Sequence, residues 1–432
     1  MALSSPWAGI TNLAMEAVRS HPGDVVILAP PGAGKTALLI DLITLIAIIL
    51  GRTVIVAAVS NDQCDDIVRR AALLYPRLRI DRFVASNETR ARLAGLRNVR
   101  VVDATNDLAA PVVVATVAKF CEIKDLGYVA DRLIIDEAYQ ARRADYDRIR
   151  ALATKACLIG DPGQIRPIYR SDIRLYAADP CGPHVAAPLV LLNNGTALSL
   201  QMRHSRRLPQ DTIDVVQPSF YPSLPFGAVA GSGQRLITGG LPGMTPLDRL
   251  LDRSLAKGSL SMVGLPRRIV PQFDIELLDV VTELVNRLVR RQFQFVDDED
   301  SGVLAEEDIG VVVFHRDEVT AIRRAVGPGV YVETANRFQG LERRVIVALH
   351  PISGAERVTE FNCEAGRACV ALSRHRIACV IVGRDGISEA LDRAVLEDER
   401  HLGRPDDPLF DGMRAHRTLM EQLEARALIE RP

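Results

Sequence analysis

The segment Ala29-Pro30-Pro31-Gly32-Ala33-Gly34-Lys35-Thr36 lies between two apolar runs, a short one from Val25 to Leu28 and a longer one that starts at Ala37. That setting predicts a strand, a tight loop and a helix in direct succession. Glycines let the loop curl until several N–H groups face one anion. The helix that follows adds the positive end of its dipole. Pro31, Gly32, Ala33, Gly34, Lys35, Thr36 and Ala37 are therefore the candidate phosphate-binding residues. Lys35 is placed to reach terminal phosphates, and Thr36 can offer a hydroxyl to Mg²⁺. Ala29 stands where such loops usually begin with Gly, a position that needs a small residue more than a positive φ.

A chain of 432 residues with a formal net charge of −1 has room for two domains and carries no global basic footprint. A nucleic-acid partner would have to use a local surface. The seven cysteines form no C-x-x-C pair, which argues against a structural zinc site, and an odd count without a signal peptide points to a reducing cytoplasm. The run Leu38 to Leu50 is interrupted by Asp41 and Thr44 and is short for a bilayer, so it reads as a buried helix. No membrane association is expected.

The first half alternates short apolar runs with helical spacing. Strands are expected at Thr53 to Val59, Val99 to Asp103, Val112 to Ala115, Arg132 to Ile135 and Ala156 to Ile159, with helices at Ile10 to Arg19 and Asp62 to Leu74. Short buried strands between helices predict a parallel sheet covered on both faces. Residues 205–264 are richer in Pro, Gly and Ser and read as irregular. A second α/β pattern follows, with helices at Asp274 to Arg291 and Asp317 to Val326, and strands at Ile309 to Phe314, Val345 to Leu349 and Ala378 to Val382. Asp297 to Asp308 is acidic and reads as a solvated loop. Two amphipathic helices are expected beyond Gly386.

Leu133-Ile134-Ile135 ends in Asp136 and Glu137. In a parallel sheet, ligands lie beyond the carboxyl ends of the strands. Two acids at a strand end can be merely solvated. Beside a phosphate loop, Asp136 reads as a Mg²⁺ ligand and Glu137 as the group that polarises an attacking water. The next strand ends in Gly160-Asp161-Pro162-Gly163-Gln164, which is either an ordinary turn or a loop whose Gln164 senses a terminal phosphate or that water.

The ordered set Ala29–Thr36, Asp136-Glu137-Ala138-Tyr139-Gln140 and Gly160–Gln164 resembles superfamily 1 helicases. Ala57-Ala58-Val59-Ser60-Asn61 is similar to motif Ia, Val114-Ala115-Thr116 to motif Ib, and Ile309–Phe314 to motif IV. Glu333-Thr334-Ala335-Asn336-Arg337-Phe338-Gln339-Gly340-Leu341-Glu342 is similar to motif V, and Val370-Ala371-Leu372-Ser373-Arg374 to motif VI. Leu200-Gln201-Met202-Arg203-His204, with Phe220-Tyr221 downstream, resembles a segment of the up-frameshift group. The resemblance spans residues 29 to about 383.

It implies an α/β fold of two RecA-like P-loop domains, each a mostly parallel sheet with helices on both faces, divided at 1–197 and 198–432. ATP and Mg²⁺ are implied in the cleft between them. The first domain would carry Lys35, Thr36, Asp136, Glu137 and Gln164, and the second Arg203 and Arg374 as arginine fingers. Gln339, Gly340 and Glu342 would contact the nucleotide, and Ser60, Asn61, Thr116 and Thr334 a single strand of DNA or RNA. The implied activity is ATP hydrolysis coupled to 5′-to-3′ translocation or strand separation, with a recruiting or unwinding partner. A nucleic-acid-binding module without motor activity, and a P-loop switch with a protein client, are the alternatives.

Three positions depart from the family pattern. Ala14 stands where a Gln would read adenine, His315-Arg316-Asp317-Glu318 replaces the usual Pro-Tyr-x-x-Gln, and Asn336 stands in place of Asp. Only Met1 to Asp24 precede the first strand, room for one helix and not for the accessory barrel of the up-frameshift group, so weak intrinsic unwinding is expected.

Overall fold

The computed structural model describes residues 8–85, 91–123, 126–167, 173, 175–176, 179–231, 233–270, 273–397 and 408–432. They fall into two compact units, Met1–Pro162 with Arg166–Arg203, and Gly163–Ile165 with His204–Pro432.

The first unit is built on eight strands: β1 (Asp24–Leu28), β2 (Val54–Ala58), β3 (Ile80–Phe83), β4 (Val99–Val102), β5 (Val112–Thr116), β6 (Ala130–Ile135), β7 (Ala153–Gly160) and β8 (Ala197–Gln201). They lie in the order β4-β3-β5-β2-β6-β7-β1-β8, and every neighbouring pair is parallel. Alternate residues serve opposite faces. Val25, Ile27, Val54, Val56 and Ala58 join one apolar cluster, and Val26, Ile55 and Ala57 join the other. Both faces are thus covered, which is why these strands read as unbroken apolar runs.

The base of β1 is pinned by Asp24, whose carboxylate accepts from Tyr146 Oη, Arg150 Nε and the Ala156 N–H of β7. Burial pushes that carboxyl up, but the Arg150, Tyr146 and Ala156 donors outweigh it and hold it below the usual range. The apolar run after the phosphate loop departs from expectation. The α-helix is Lys35–Thr44, and a π-helical turn, Leu45–Ile49, ends it with Ile48 and Ile49 exposed.

The second unit holds a six-stranded parallel sheet: β9 (Leu260–Leu265), β10 (Ile309–Val313), β11 (Tyr331–Thr334), β12 (Arg343–Leu349), β13 (His375–Arg384) and β14 (Ile429–Glu430). The order is β11-β10-β12-β13-β9-β14. Each unit is therefore a RecA-like sheet clad by helices.

Three expectations are corrected. Ala197–Gln201 pairs with β1, so the first unit ends at Arg203 rather than at residue 197, and Arg203 belongs to it rather than to the second unit. Residues 205–264 are not irregular throughout. They contain the helices Gln210–Phe220 and Pro246–Ala256 and the sheet strand β9. The acidic stretch is not a free loop either. Ser301–Val303 and Gln294–Val296 pair as a hairpin, and the buried Asp297 takes Arg344 Nε at 3.2 Å. Burial raises the Asp297 carboxyl, but the Glu299 and Asp300 N–H groups and Arg344 together hold it low.

One close backbone approach locks the C-terminal helix Pro408–Ala425 onto the helix Glu360–Cys363. A Cβ added at Gly412 would stand 2.0 Å from the Cys363 carbonyl oxygen. Backbone cannot swing aside as a side chain can. Gly412→Ala is expected to destabilise the second unit by about 3 kcal/mol despite Ala's better helix propensity. Chemical denaturation of the variant checks this, and a stability equal to or above wild type would show that the helix shifts freely.

Candidate functional site

In a parallel sheet all carboxyl ends point to one edge, and in the first unit that edge gathers most of the predicted residues. Read along the sheet it presents Thr116 at the end of β5, Ser60 and Asn61 after β2, Asp136 and Glu137 after β6, Asp161 after β7, the phosphate loop after β1 and Arg203 after β8. The single-strand candidates occupy one half of the edge and the nucleotide candidates the other.

The loop takes the shape its glycines permit. Gly32 has φ 71° and Gly34 φ 87°, left-handed values that other residues adopt at a cost. Gly34 caps the Lys35–Thr44 helix and, having no side chain, itself covers none of the helix N-terminal N–H groups. The Ala29 N–H donates to the Gly160 carbonyl at 2.9 Å, which ties the loop to the end of β7. Pro31 is buried, Thr36 is half-buried and Ala37 is exposed.

Lys35 Nζ stands 3.3 Å from Glu137 Oε1 and 4.0 Å from Asp161 Oδ2. Glu137 has φ 49°, a strained value for a non-glycine residue at the turn after β6. Its N–H donates to Asp136 Oδ1 at 3.0 Å, and the Asp136 N–H donates to the Ala57 carbonyl at 2.8 Å. Burial, and then the neighbouring Glu137, push the Asp136 carboxyl up to about 7, with Lys35 opposing. Two carboxylates and a third, Asp161, thus crowd one ammonium beside an anion-binding loop. Such a group suits a cation at Asp136 and a polyanion at Lys35.

Asp161 was not among the sequence candidates for the site, although it is fully buried beside Lys35. Its place directly after the apolar strand Ala156 to Ile159 and Gly160 is the signal that could have found it. Ala14, the position where the family has an adenine-reading Gln, packs in the core with Ala17 and Val18. That helix face is apolar.

On the other half of the edge, Ser60 caps the helix Asn61–Leu74 and its hydroxyl accepts from the Gln63 N–H at 3.2 Å. Thr116 caps Val117–Glu122 and accepts from the Lys119 N–H at 3.1 Å. Asn61 Oδ1 accepts from Arg82 Nη2 at 2.7 Å.

The second unit does not collect its predicted residues at one edge. Thr334 ends β11, at the carboxyl edge, and stands at the N-cap position of the short helix Ala335–Phe338 without a side-chain cap bond. Glu342 and Arg374 precede β12 and β13, at the opposite edge, where the Arg343 N–H donates to the Arg374 carbonyl. Arg374 is buried and donates through Nε to the Val370 carbonyl at 3.2 Å. Glu342 takes Arg207 Nε at 2.6 Å, a pairing that sequence reading missed. Burial raises the Glu342 carboxyl, but Arg207, then Arg376 and Arg374, hold it below the ordinary range. Gln164 lies in the short segment Gly163–Ile165 that groups with the second unit, not the first, and its Oε1 accepts from Gln339 Nε2 at 2.9 Å. Gly340, next along, has φ 85°.

Two family models, each described as an AAA domain, match this chain, one over residues 11–175 and the other over residues 275–386. No curated protein matches the sequence. Among solved structures, the chain is similar to the PRRSV helicase at 16% identity and TM-score 0.42, over 86% of this chain and 54% of that one. It is also similar to the arterivirus nonstructural protein 10 helicase solved with DNA, at 13% identity and TM-score 0.45, over 89% of this chain and 65% of that one. The chain spans about half to two thirds of the length of these helicase chains. The two matches put an AAA domain in each half of the chain, in agreement with a P-loop fold of two RecA-like units, and the ordered motifs resemble those of superfamily 1 helicases. No helix among the described residues is long and apolar enough to cross a membrane.

Proposed function

We propose that this chain is an ATP-hydrolysing motor that moves along single-stranded nucleic acid in the 5′-to-3′ direction. The observation that carries the reading is the placement of Lys35 between the Glu137 and Asp161 carboxylates, at the mouth of the glycine loop and at the ends of adjacent strands. The buried Asp136 and the Thr36 hydroxyl would hold a Mg²⁺ ion, which would supply charge neutralisation at the phosphates. The loop from Pro31 to Ala37 fits the phosphate chain. Gln339, Gly340 and Glu342 serve the nucleotide, and Gln164 senses it through its link to Gln339.

Lys35 is held by Glu137. A bound polyphosphate competes for that ammonium and draws it away. Glu137 Oε1 is then free to accept a proton from water. Binding therefore switches on the base, which couples the arrival of substrate to the ability to cleave it. Arg203 and Arg374 stabilise the charge that develops on the transferred group. Ser60, Asn61, Thr116 and Thr334 offer short polar groups suited to phosphate and sugar contacts, which hold a strand without reading its sequence.

ATP turnover is expected to rise on addition of single-stranded DNA or RNA, with little sequence preference. A net charge of −1 and neutral contact residues imply few ionic contacts, so log K against log salt should fall with a shallow slope. Fluorescence titration of a labelled strand at several salt concentrations measures this. Faster displacement of streptavidin from a 3′ than from a 5′ biotin end supports the stated polarity, and the reverse overturns it. ATP turnover with no strand binding at low salt would favour a P-loop switch acting on a protein. Strand binding without turnover would favour a binding module.

A further inference from the structure

Among the described residues of the first unit Arg82 is the largest side chain fully enclosed, and an arginine on a strand interior needs a reason to be there. Its guanidinium joins three segments of the carboxyl edge. Nε donates to Asp65 Oδ1 at 2.8 Å, Nη1 to the Phe83 carbonyl at 2.8 Å and to the Val114 carbonyl at 3.5 Å, and Nη2 to Asn61 Oδ1 at 2.7 Å. Asp65 balances the buried charge. Asn61 is different, because it is exposed and lines, with Phe83, Thr116 and Lys119, a cavity of about 130 Å³ on the edge.

A guanidinium only donates, so the Asn61 amide must turn its oxygen toward Arg82. The amide NH₂ is then left to face outward, beside the Thr116 loop. Free in solution an Asn side chain flips and offers either end. Held by Arg82 it offers donors only, which suits the phosphate and sugar oxygens of a nucleic-acid backbone and not a carbonyl-seeking donor.

We propose that Arg82 is a positioning residue for single-strand binding, acting through Asn61 by fixing which end of its amide meets the strand. The inference rests on the strand-binding reading above. Arg82→Lys keeps the charge for Asp65 but loses the fork that spans Asp65 and Asn61 together. It is expected to raise the strand concentration that half-saturates ATPase stimulation by about tenfold, the worth of one oriented hydrogen bond. Turnover without strand, and maximal turnover at saturating strand, should stay at wild-type levels.

The decisive measurement is a double-mutant cycle. If Arg82 acts through Asn61, then Arg82→Lys adds less than about twofold in an Asn61→Ala background. Additive losses in the double variant would overturn the proposal, since a general packing role would weaken both backgrounds alike. Should Arg82→Lys fail to fold, Asn61→Asp serves in its place. That carboxylate keeps the Arg82 bond but presents oxygen outward, and the proposal requires about tenfold weaker strand binding at wild-type thermal stability. Unchanged binding by Asn61→Asp refutes it. A wild-type chain that binds no strand overturns the function proposed above as well, whereas a binding wild type with unaffected variants overturns this inference alone.

Discussion

Glu137→Gln lowers ATP turnover by about 10²–10⁴-fold, the range a positioned general base supplies. The replacement keeps shape and removes the carboxylate charge with its ability to take a proton. It also releases Lys35, which Glu137 Oε1 holds at 3.3 Å, to the phosphates. Nucleotide affinity should therefore be equal to wild type or somewhat tighter. That combination, lost turnover with retained or improved binding, marks a group acting in the transition state. Lys35→Ala provides the contrast. It removes the ammonium that the phosphates need and leaves Glu137 and Asp161 facing each other unneutralised, so affinity and turnover both fall. Equilibrium binding of a fluorescent ATP analogue, beside steady-state hydrolysis at saturating strand, separates the two. Turnover within about threefold of wild type in Glu137→Gln would remove it from the role of base.

Much of the carboxyl edge of the first unit was legible because buried parallel strands leave a plain trace. The β-branched runs at β2, β5 and β6 each end at a chemically distinctive residue, and the parallel-sheet rule places those residues side by side. What stayed hidden was decided by tertiary contact. Ala197–Gln201 carries no sign that it pairs with β1 rather than with the second sheet, so the boundary fell six residues short and took Arg203 with it.

β9 reads Leu-Ser-Met-Val-Gly-Leu, small and partly polar, and gives a weak strand signal although all six residues are buried. The helix Gln210–Phe220 includes Pro218, a residue that argues against a helix from sequence alone. Arg82 and Arg374 look like any other arginine in an arginine-rich chain. Only the fold shows that each is enclosed.

That difference in enclosure also sets the outcome at the two arginines of the hydrolysis reading. Arg203 is exposed and follows directly on β8, whose Gln201 pairs with Leu28 at the mouth of the phosphate loop, and the Met202 N–H donates to the Leu28 carbonyl at 2.8 Å. Its backbone is thus anchored to the strand that feeds the loop, while its side chain is left available to charge arriving there. Arg203→Ala should cut kcat by about 10³-fold, the lower end of what an arginine finger supplies, with nucleotide affinity little changed. It should leave the melting temperature unaltered, because an exposed side chain carries little of the fold.

Arg374 is enclosed in the second unit and donates to the Val370 carbonyl. Arg374→Ala should show a similar loss of kcat together with measurable destabilisation, from the cavity it leaves and from the support it withdraws from the Glu342 carboxylate. Thermal unfolding beside single-turnover hydrolysis of both variants provides the comparison. If Arg203→Ala hydrolyses ATP at the wild-type rate, its position beside the loop is structural coincidence. If Arg374→Ala loses stability but not kcat, its guanidinium serves the fold of the second unit and not the reaction.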